Sequence, residues 1–399
     1  MASGEKREFL SEQLISYLGN KRSLLAPIER AICEIKTELG QSKISFADVF
    51  SGSGIVARLA KAHSNLVIAN DLEGYSRAIN SCYLSNFSDE LWRDLSELHA
   101  EILRNFTPLE SFFSELYAPK DDRDIKAGER AFYTRRNALI LGGLCEQISK
   151  IPQRFRDFFT APLLSEASIH SNTGGVFKGF YKDKAGVGKF GGSGENALAR
   201  IMGEISLRLP VLSNFACESA VFQEDAARFA QSARERFSQL DVAYFDPPYN
   251  QHPYGSNYFM LNLITDFINE GKSPNVAELS RVSGIPADWN RSAYNKKSNA
   301  AEEFFALLAE FPAKFLIISF NSDLRLDTFT KLVGTNLSPS NFVLNLYSLK
   351  DNIFLNVLSS LTNKGKSTSP SRYFTLHIPL FLWYFNPLKF SFLLIFHSP

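Results

Sequence analysis

The spacing of hydrophobic positions changes several times along the chain and predicts an alternation of strands and helices. Short apolar runs that end in glycines or acids occur at KISFADVFSGSG, LVIANDLEG, ESAVFQEDA, LDVAYFDPPY and KFLIISFNS. Between them, segments such as LWRDLSELHAEILRNF and NAAEEFFALLAEF place apolar residues three and four positions apart, which predicts amphipathic helices. Strands that alternate with helices indicate the α/β fold class with a mostly parallel sheet.

The same pattern divides the chain into four predicted regions. Residues 1–118 give the first part of the catalytic domain, after a helical lead-in that breaks at YLGNKRSLL. Residues 119–210 end in SIHSNTGGVFKGFYKDKAGVGKFGGSGEN, which has neither period, and are predicted to be an insertion. Residues 211–333 resume the strand and helix pattern, and residues 334–399 form an atypical apolar tail.

The tail differs from the rest of the chain in composition. It has six charged side chains and long runs of Leu, Phe, Ser and Asn. Its most apolar stretch, YFTLHIPLFLWYFNPLKFSFLLIF, contains two prolines, a Lys and a His, so we do not expect it to span a membrane. Sequence that has not been selected for surface polarity has this appearance, and we interpret the tail as a possible product of a frame shift.

The net charge of the whole chain does not indicate a partner, but the charge of the insertion differs from that of the rest. The 399 residues contain 43 Lys and Arg against 42 Asp and Glu, which indicates neither nucleic acid nor an anionic membrane as a partner. Residues 120–208, however, contain 15 Lys and Arg against 10 Asp and Glu. The excess positive charge therefore lies in the insertion.

Cysteine and histidine usage indicates the compartment. Four scattered cysteines form no C-x-x-C pair, and six histidines show no metal-binding spacing. The charged N-terminus lacks the apolar core of a signal peptide. We expect a reduced, metal-free cytoplasmic protein.

The stretch DVFSGSGIVA predicts a ligand site at the end of the first strand. Gly52, Gly54 and Ala57 fit the G-x-G-x-x-A pattern, in which glycines let a ligand approach the backbone and a helix N-terminus faces its anionic groups. Asp71, at the end of the next apolar run, is suited to bind a ribose hydroxyl. These residues leave NAD and S-adenosylmethionine equally open, and a turn without a ligand has the same pattern.

The tetrapeptide Asp246-Pro247-Pro248-Tyr249, here called the DPPY corner, favours one of these cofactors. It follows the apolar run VAYF, so it lies where open α/β sheets bind ligands. The prolines remove two N–H donors and leave two acceptors, the Asp246 carboxylate and the Pro247 carbonyl. Such a corner suits the exocyclic amine of a base, and the Tyr249 ring can stack on a base taken out of its duplex. Methylation of that amine would require a methyl donor, which favours S-adenosylmethionine over NAD. The alternative is an Asp-Pro-Pro surface turn that binds no ligand.

The glycine–lysine loop, residues 172–192 (NTGGVFKGFYKDKAGVGKFGG), is the predicted DNA-binding part of the insertion. Lysines contact phosphates, aromatic rings wedge or stack, and glycines permit close approach to a groove. A surface loop without a partner is the alternative. The predicted DNA-binding residues are Asn172, Lys178, Phe180, Tyr181, Lys182, Lys184 and Lys189.

The ordered set of motifs resembles a known family. YLGNKRSLL, DVFSGSG, ANDLE, FQEDA, DPPY and FLIISFNS occur in the order found in the D12-class DNA adenine-N6 methyltransferases, the group that includes the Dam methylases. The resemblance covers about residues 10–325. It implies a Rossmann-like, S-adenosylmethionine-dependent methyltransferase sheet with an inserted DNA-recognition region.

The resemblance also implies roles for individual residues. Lys21 would lie near the carboxylate of S-adenosylmethionine, Asp71 would bind its ribose hydroxyls and Asp225 its adenine amine. Asp246, Pro247 and Tyr249 would hold the target adenine. Asn257 and Tyr258 follow the corner closely in the sequence, and on that ground alone we expect them to help shape its pocket. The full set of implied cofactor contacts is Tyr17, Lys21, Asp48, Phe50, Gly52, Gly54, Asp71, Asp225 and Asp246.

Two departures from the family are visible. YLGNK stands where Dam-like members have a Trp and paired glycines, which weakens the match at Tyr17. We also identify no closing pair of antiparallel strands in the tail, and without it the sheet would end in an open edge.

Partners and alternative activities follow from the resemblance. We expect double-stranded DNA as the substrate of a monomer at the nucleoid, in the cytoplasm of a bacterium or in a phage-infected cell. The enzyme would act beside a cognate restriction endonuclease, or as a solitary methyltransferase. A cytosine-N4 methyltransferase, in which Ser usually opens the tetrapeptide, and an inactive DNA-binding protein are the alternatives. A nicotinamide oxidoreductase would leave DPPY unexplained.

Overall fold

The computed structural model describes residues 4–192, 197–248, 253–295 and 300–321 and three strands nearer the C-terminus. The helices are α1 Arg7–Ser11, α2 Leu25–Leu39, α3 Ile55–Lys61, α4 Gly74–Tyr83, α5 Asp89–Asn105, α6 Phe112–Leu116, α7 Arg135–Lys150, α8 Gln153–Ile169, α9 Leu198–Met202, α10 Ala226–Arg236, α11 Tyr254–Asn257, α12 Phe259–Glu270 and α13 Ala300–Glu310. The strands are β1 Ile44–Asp48, β2 Ser64–Asn70, β3 Glu218–Phe222, β4 Leu240–Phe245, β5 Ala313–Asn321, β6 Val343–Tyr347, β7 Phe354–Leu358 and β8 Ser391–His397.

The central sheet has the strand order β3-β2-β1-β4-β5-β8. Strands β1 to β5 are all parallel to one another. The order runs outward from β1 in one direction through β2 and β3 and in the other through β4 and β5. This reversal between β1 and β4 creates a crevice at their carboxyl ends, where open α/β sheets bind ligands. The predicted α/β class and Rossmann-like methyltransferase sheet are confirmed.

The strands are buried on both faces, as expected for a parallel sheet covered by helices. All six residues of β4 are buried. Val242 and Tyr244 pack in one hydrophobic cluster, and Ala243 and Phe245 pack in the other, because successive strand side chains point to opposite faces. This packing holds the end of β4, and with it the DPPY corner, in a fixed place.

The helices divide between the two faces of the sheet. α4, α8 and α12 pack against one another on the face of the larger cluster, and α10 and α13 pack together on the other. The predicted insertion, residues 119–210, shares the larger cluster, since α7 and α8 supply Leu141, Leu144, Phe159 and Leu163 to it. No separate core therefore marks a boundary at residue 118, and the division into regions stays a prediction about function.

The far edge of the sheet differs from the expectation. β8 pairs antiparallel with β5 from Phe315 to Asn321, and β6 and β7 form an antiparallel pair. The prediction of an open edge at β5 is therefore wrong, because its backbone groups are paired along that side. Much of the tail lies outside the described residues, and its interpretation as frame-shifted sequence stays a prediction. Among the helices that the structure describes, none is long and apolar enough to cross a bilayer.

Candidate active site

An open pocket lies at the crevice between β1 and β4. Every strand from β1 to β4 contributes to it from its carboxyl end. The lining residues that follow these strands are Phe50, Asp71, Glu73, Asp225, Asp246 and Pro248.

The glycine loop after β1 must be made of glycines because other side chains crowd it. Gly52 has φ +50°, and a Cβ there would lie 2.6 Å from a ring carbon of Tyr17. Gly54 has φ +71°, and a Cβ there would lie 2.7 Å from Asn80 Oδ1. Both positions combine a left-handed backbone with a close approach, which only glycine accommodates.

Asp71 joins the ends of β1 and β2. Its Oδ2 accepts a hydrogen bond from the amide of Gly52 at 2.7 Å, and its Oδ1 accepts one from the amide of Glu73 at 3.0 Å. Burial raises the pKa of the Asp71 carboxyl, although these backbone amides oppose the shift. The carboxylate predicted to hold a ribose thus also fixes the glycine loop.

Asp48 lies beneath the pocket rather than in its lining. Its side chain is 1% exposed, and Oδ2 accepts a hydrogen bond from the amide of Ala57 in the first turn of α3 at 3.1 Å. Burial, together with the nearby charge of Asp246, raises the pKa of the Asp48 carboxyl well above its usual range. Asp48 thus fixes the start of α3 in the structure, and its expected contact with the cofactor stays a prediction.

Aromatic and acidic side chains form the walls of the pocket. The rings of Phe50 and Tyr294 meet edge to face with their centroids 5.2 Å apart. Asp225 caps α10 by accepting a hydrogen bond from the amide of Ala227 at 3.0 Å. Sequence analysis missed Tyr294, since it lies far from every motif and its surroundings gave no signal.

Lys21 and Asp246 form an ion pair at the edge of the pocket. Lys21 Nζ lies 2.6 Å from Asp246 Oδ2, and the two side chains are only 13% and 18% exposed. Lys21 Nζ also donates a hydrogen bond to the carbonyl of Gly19 at 3.0 Å. The structure thus brings together the N-terminal lysine and the first residue of the DPPY corner, which the sequence had assigned to cofactor and base respectively.

Shortly before Lys21 in the chain, the ring of Tyr17 packs against three other tyrosine rings. The Tyr17 ring stacks on those of Tyr254 and Tyr258, with centroids 5.0 and 5.1 Å away, and meets Tyr75 edge to face at 6.3 Å. The amide of Leu18 donates to the Tyr258 hydroxyl at 2.8 Å, and the Tyr254 hydroxyl donates to the Leu18 carbonyl at 3.0 Å. Sequence analysis missed Tyr75 and Tyr254, because aromatic residues in helices are most often ordinary core.

Comparison with known proteins identifies this arrangement. Residues 17–158, from the stacked tyrosine to α8, match the family model of the D12 class N6 adenine-specific DNA methyltransferase. This part of the chain, residues 17–158, is therefore similar to the D12-class DNA methyltransferases. The resemblance predicted from the ordered motifs is therefore confirmed.

Curated relatives extend the similarity beyond this domain. The type II methyltransferase M.CviAII of Paramecium bursaria Chlorella virus 1 is 28% identical over 314 residues, covering 77% of this chain and 84% of the relative. The type II methyltransferase M.NlaIII of Neisseria lactamica is also 28% identical, over 319 residues with the same coverage. The modification methylase LlaI of Lactococcus lactis subsp. lactis is 26% identical over 319 residues, which span 46% of its own length.

The methyltransferase pocket also contains a buried acid that sequence analysis missed. Glu73 Oε2 accepts hydrogen bonds from the amide groups of Asn262 at 2.6 Å and Asn290 at 3.1 Å. Burial, with a contribution from the charge of Asp71, raises the pKa of Glu73 to about 7. The one available signal was Asn262, a polar residue inside the apolar helix FMLNLITDF.

In the glycine–lysine loop, the lysine side chains are exposed and the predicted DNA-binding aromatic side chains are partly buried. Lys178, Lys182, Lys184 and Lys189 are exposed, whereas Phe180 and Tyr181 are half-buried. The Lys182 ammonium lies 4.9 Å from the centre of the Phe180 ring. The loop is joined to α11 by a hydrogen bond from the amide of Phe177 to the carbonyl of Asn257 at 2.7 Å.

Asn172 has a different position from the one expected. Its side chain is fully buried; its amide group donates to the carbonyls of Ala131 at 2.7 Å and Lys189 at 3.0 Å, and its Oδ1 accepts from the amide of Gly191 at 3.0 Å. All three bonds lie within the protein. We therefore correct its role from a DNA contact to an anchor that joins the two ends of the loop.

Of the DPPY corner, the structure describes residues 246–248. Pro247 is buried and Pro248 lines the pocket. Tyr249, predicted to stack on the target base, lies outside the described residues, and its role stays a prediction.

Proposed function

We propose that the protein transfers the methyl group of S-adenosylmethionine to N6 of an adenine that has left its duplex. The observation that carries the proposal is the Lys21–Asp246 ion pair, which couples an acceptor-only corner to a lysine at the mouth of a pocket on the sheet's crevice. A family model specific for N6-adenine methylation supports the choice of base.

The donor and acceptor groups of the pocket fit S-adenosylmethionine. The carboxylates of Asp71 and Asp225 accept hydrogen bonds, as ribose hydroxyls and an adenine amine require, and Phe50 and Tyr294 offer ring faces and edges to a purine. Lys21 pairs with Asp246 at the corner and would meet the cofactor's carboxylate. When bound, the cofactor supplies an electrophilic methyl group.

Asp246 and Pro247 would hold the two hydrogens of the target amine. The amine is a weak nucleophile because its lone pair is delocalised into the adenine ring. Two acceptors that bind its hydrogens favour a tetrahedral nitrogen and direct its lone pair toward the methyl carbon. The N–C bond forms as the S–C bond breaks, and the resulting cationic nitrogen then loses a proton to Asp246 or to water.

Lys21 would have to give up Asp246 during this cycle. In the structure its ammonium occupies the carboxylate that the amine needs. A cofactor carboxylate offers Lys21 a second anion of the same charge, so cofactor binding would release Asp246 for the base. The proposed enzyme would therefore bind the target base better after the cofactor than before it.

Identification of the methylated nucleoside tests the proposal. Purified protein, labelled S-adenosylmethionine and genomic DNA are incubated, and the DNA is digested to nucleosides and separated. We expect label in N6-methyl-2′-deoxyadenosine. Label in N4-methyl-2′-deoxycytidine would support the cytosine alternative, and binding of DNA without any label would support an inactive DNA-binding protein.

Substrate and setting follow from the relatives' names. Since these include type II methyltransferases and a modification methylase, we propose that the protein methylates a specific site in double-stranded DNA beside a cognate restriction endonuclease. We further propose that it acts as a monomer at the cytoplasmic nucleoid. Cells that carry the gene should protect their DNA from an endonuclease of matching specificity.

A further inference from the structure

The backbone of Leu18 is held by two tyrosine hydroxyls rather than by another strand or helix. Its amide donates to Tyr258 and its carbonyl accepts from Tyr254, at 2.8 and 3.0 Å. Both tyrosines come from one turn of chain, four residues apart, directly after the DPPY corner. Both polar groups of a single exposed loop residue are therefore tied to the segment that carries the target-base acceptors.

Stacking makes this attachment rigid. The Tyr17 ring stacks with both tyrosines, and their own rings lie 5.9 Å apart at 18°. The hydroxyl end of the Tyr17 ring lies against Gly52, where a Cβ has no room. Burial raises the pKa of both the Tyr254 and Tyr258 hydroxyls, so they remain protonated at neutral pH.

The attachment determines where Lys21 lies. Lys21 follows Leu18 by three residues, and the intervening turn is closed by a hydrogen bond from the amide of Asn20 to the carbonyl of Tyr17 at 3.2 Å. The Lys21 side chain then bends back to the carbonyl of Gly19 and reaches Asp246. Its backbone thus has a fixed distance from the corner, and only its side chain has to move between two anions.

We propose that Tyr254 and Tyr258 form a clamp that positions Lys21 for exchange between Asp246 and the cofactor's carboxylate. This inference rests on the proposed function. It assigns the two tyrosines a role that acts through Lys21, and it explains why two hydroxyls are directed at one peptide unit. They are positioning residues, since neither is required to touch a reacting atom.

The test uses the double variant Tyr254→Phe/Tyr258→Phe, which keeps both rings and removes both hydroxyls. We expect single-turnover methyl transfer to fall about ten-fold, as the loss of two modest hydrogen bonds predicts. The matched control is Tyr117→Phe, because the Tyr117 hydroxyl donates to the buried carbonyl of Gly284 at 2.7 Å outside the pocket. This control should keep its activity.

A double-mutant cycle with Lys21→Met separates positioning from a general structural effect. In the Lys21→Met background, removal of the two hydroxyls should cause no further loss. Equilibrium binding provides the second readout: the clamp variant should bind S-adenosylhomocysteine about ten-fold more weakly, but should bind methylthioadenosine, which lacks the carboxylate, as the wild type does.

The results that would overturn the clamp differ from those that would overturn the proposed function. Equal losses in the wild-type and Lys21→Met backgrounds, or equal weakening of both ligands, would overturn the clamp even if the enzyme methylates adenine. A wild-type protein that transfers no methyl group would overturn the proposed function instead, and the binding comparison would still report on the clamp.

Discussion

The DPPY corner and the glycine–lysine loop serve the same proposed substrate but are built in opposite ways. Around the corner, Lys21 and Asp246 are mostly buried and paired at 2.6 Å, beside a stack of tyrosines. In the loop, four lysines are exposed on a backbone that contains, in residues 172–192, one isolated bridge between Lys182 and Gly188 and no longer strand or helix. Among the buried side chains of the loop, Asn172 joins the loop's two ends.

The difference reflects two physical tasks. Methyl transfer depends on reacting atoms held within a few tenths of an ångström, so its groups are positioned before the substrate arrives. Phosphate binding depends mainly on charge and on the release of counterions, which tolerates movement of long side chains. Substitutions in the corner should therefore change the rate of transfer, and substitutions in the loop should change DNA affinity.

The largest effect is expected for Asp246→Ala. Loss of the acceptor for the target amine should reduce methyl transfer at least about a thousand-fold, while the affinity for S-adenosylmethionine should not fall, because Lys21 has lost the anion that competes with the cofactor. Labelled methyl incorporation and calorimetry measure the two quantities. The loop control is Asp183→Ala, and an Asp246→Ala enzyme that retains a tenth of its activity would contradict the assignment.

Lys21→Met should have the next largest effect. We expect methyl transfer to fall about a hundred-fold, because the charge-assisted contact to the cofactor's carboxylate is lost. The variant also lacks the ammonium group that would move from Asp246 to that carboxylate. Both kcat and the cofactor affinity should fall, as stopped assays and binding titrations can show. The equivalent change in the loop, Lys182→Met, should leave kcat unaltered. Equal losses of kcat in the two variants would contradict the view that the corner determines the rate and the loop determines DNA affinity.

A smaller effect is expected when the loop loses charge. Lys182→Ala/Lys184→Ala should weaken DNA binding about ten-fold and lower the slope of log affinity against log salt by about one for each lysine, without changing kcat. Lys150, which pairs with Glu146 at the end of α7, provides the control Lys150→Ala. A DNA affinity that is unchanged at low salt would show that the loop does not contact phosphates.

The last prediction concerns stability rather than activity or DNA binding, and it involves the buried acid of the pocket. The pKa of Glu73 is raised from 4.5 to about 7 in the folded protein, so its favourable contribution to stability is complete below pH 4.5 and is lost as the pH rises to about 7. Relative to Glu73→Gln, a mimic of the protonated form, the wild type should lose roughly 3 kcal/mol of unfolding free energy across this range. Denaturant titrations at several pH values measure it. A difference between the two proteins that does not vary with pH would contradict this account.

Much of the fold could be predicted from the sequence, because parallel strands leave long apolar runs and their ends carry recognisable glycines and acids. All five motif-bearing strands were predicted in this way, whereas the strand order that creates the crevice was not. β8 was missed: its partner β5 lies some 70 residues earlier in the chain, and the apolar tail has no alternation that marks an antiparallel strand.

The site could be predicted only in part, since a motif names residues but not the contacts between them. Lys21 and Asp246 were both identified, yet their pairing depends on how Tyr254 and Tyr258 hold Leu18 across the fold. Asn172 was misassigned because polarity in a loop usually means exposure, whereas here the amide satisfies backbone groups that the irregular loop leaves unpaired.

The measurement that tests the central claim most directly is single-molecule sequencing of DNA from cells that express the gene, with Asp246→Ala as the comparison. The account predicts N6-methyladenine at one recurring sequence in cells with the wild-type protein and none with the variant. N4-methylcytosine, or N6-methyladenine that persists with Asp246→Ala, would contradict it.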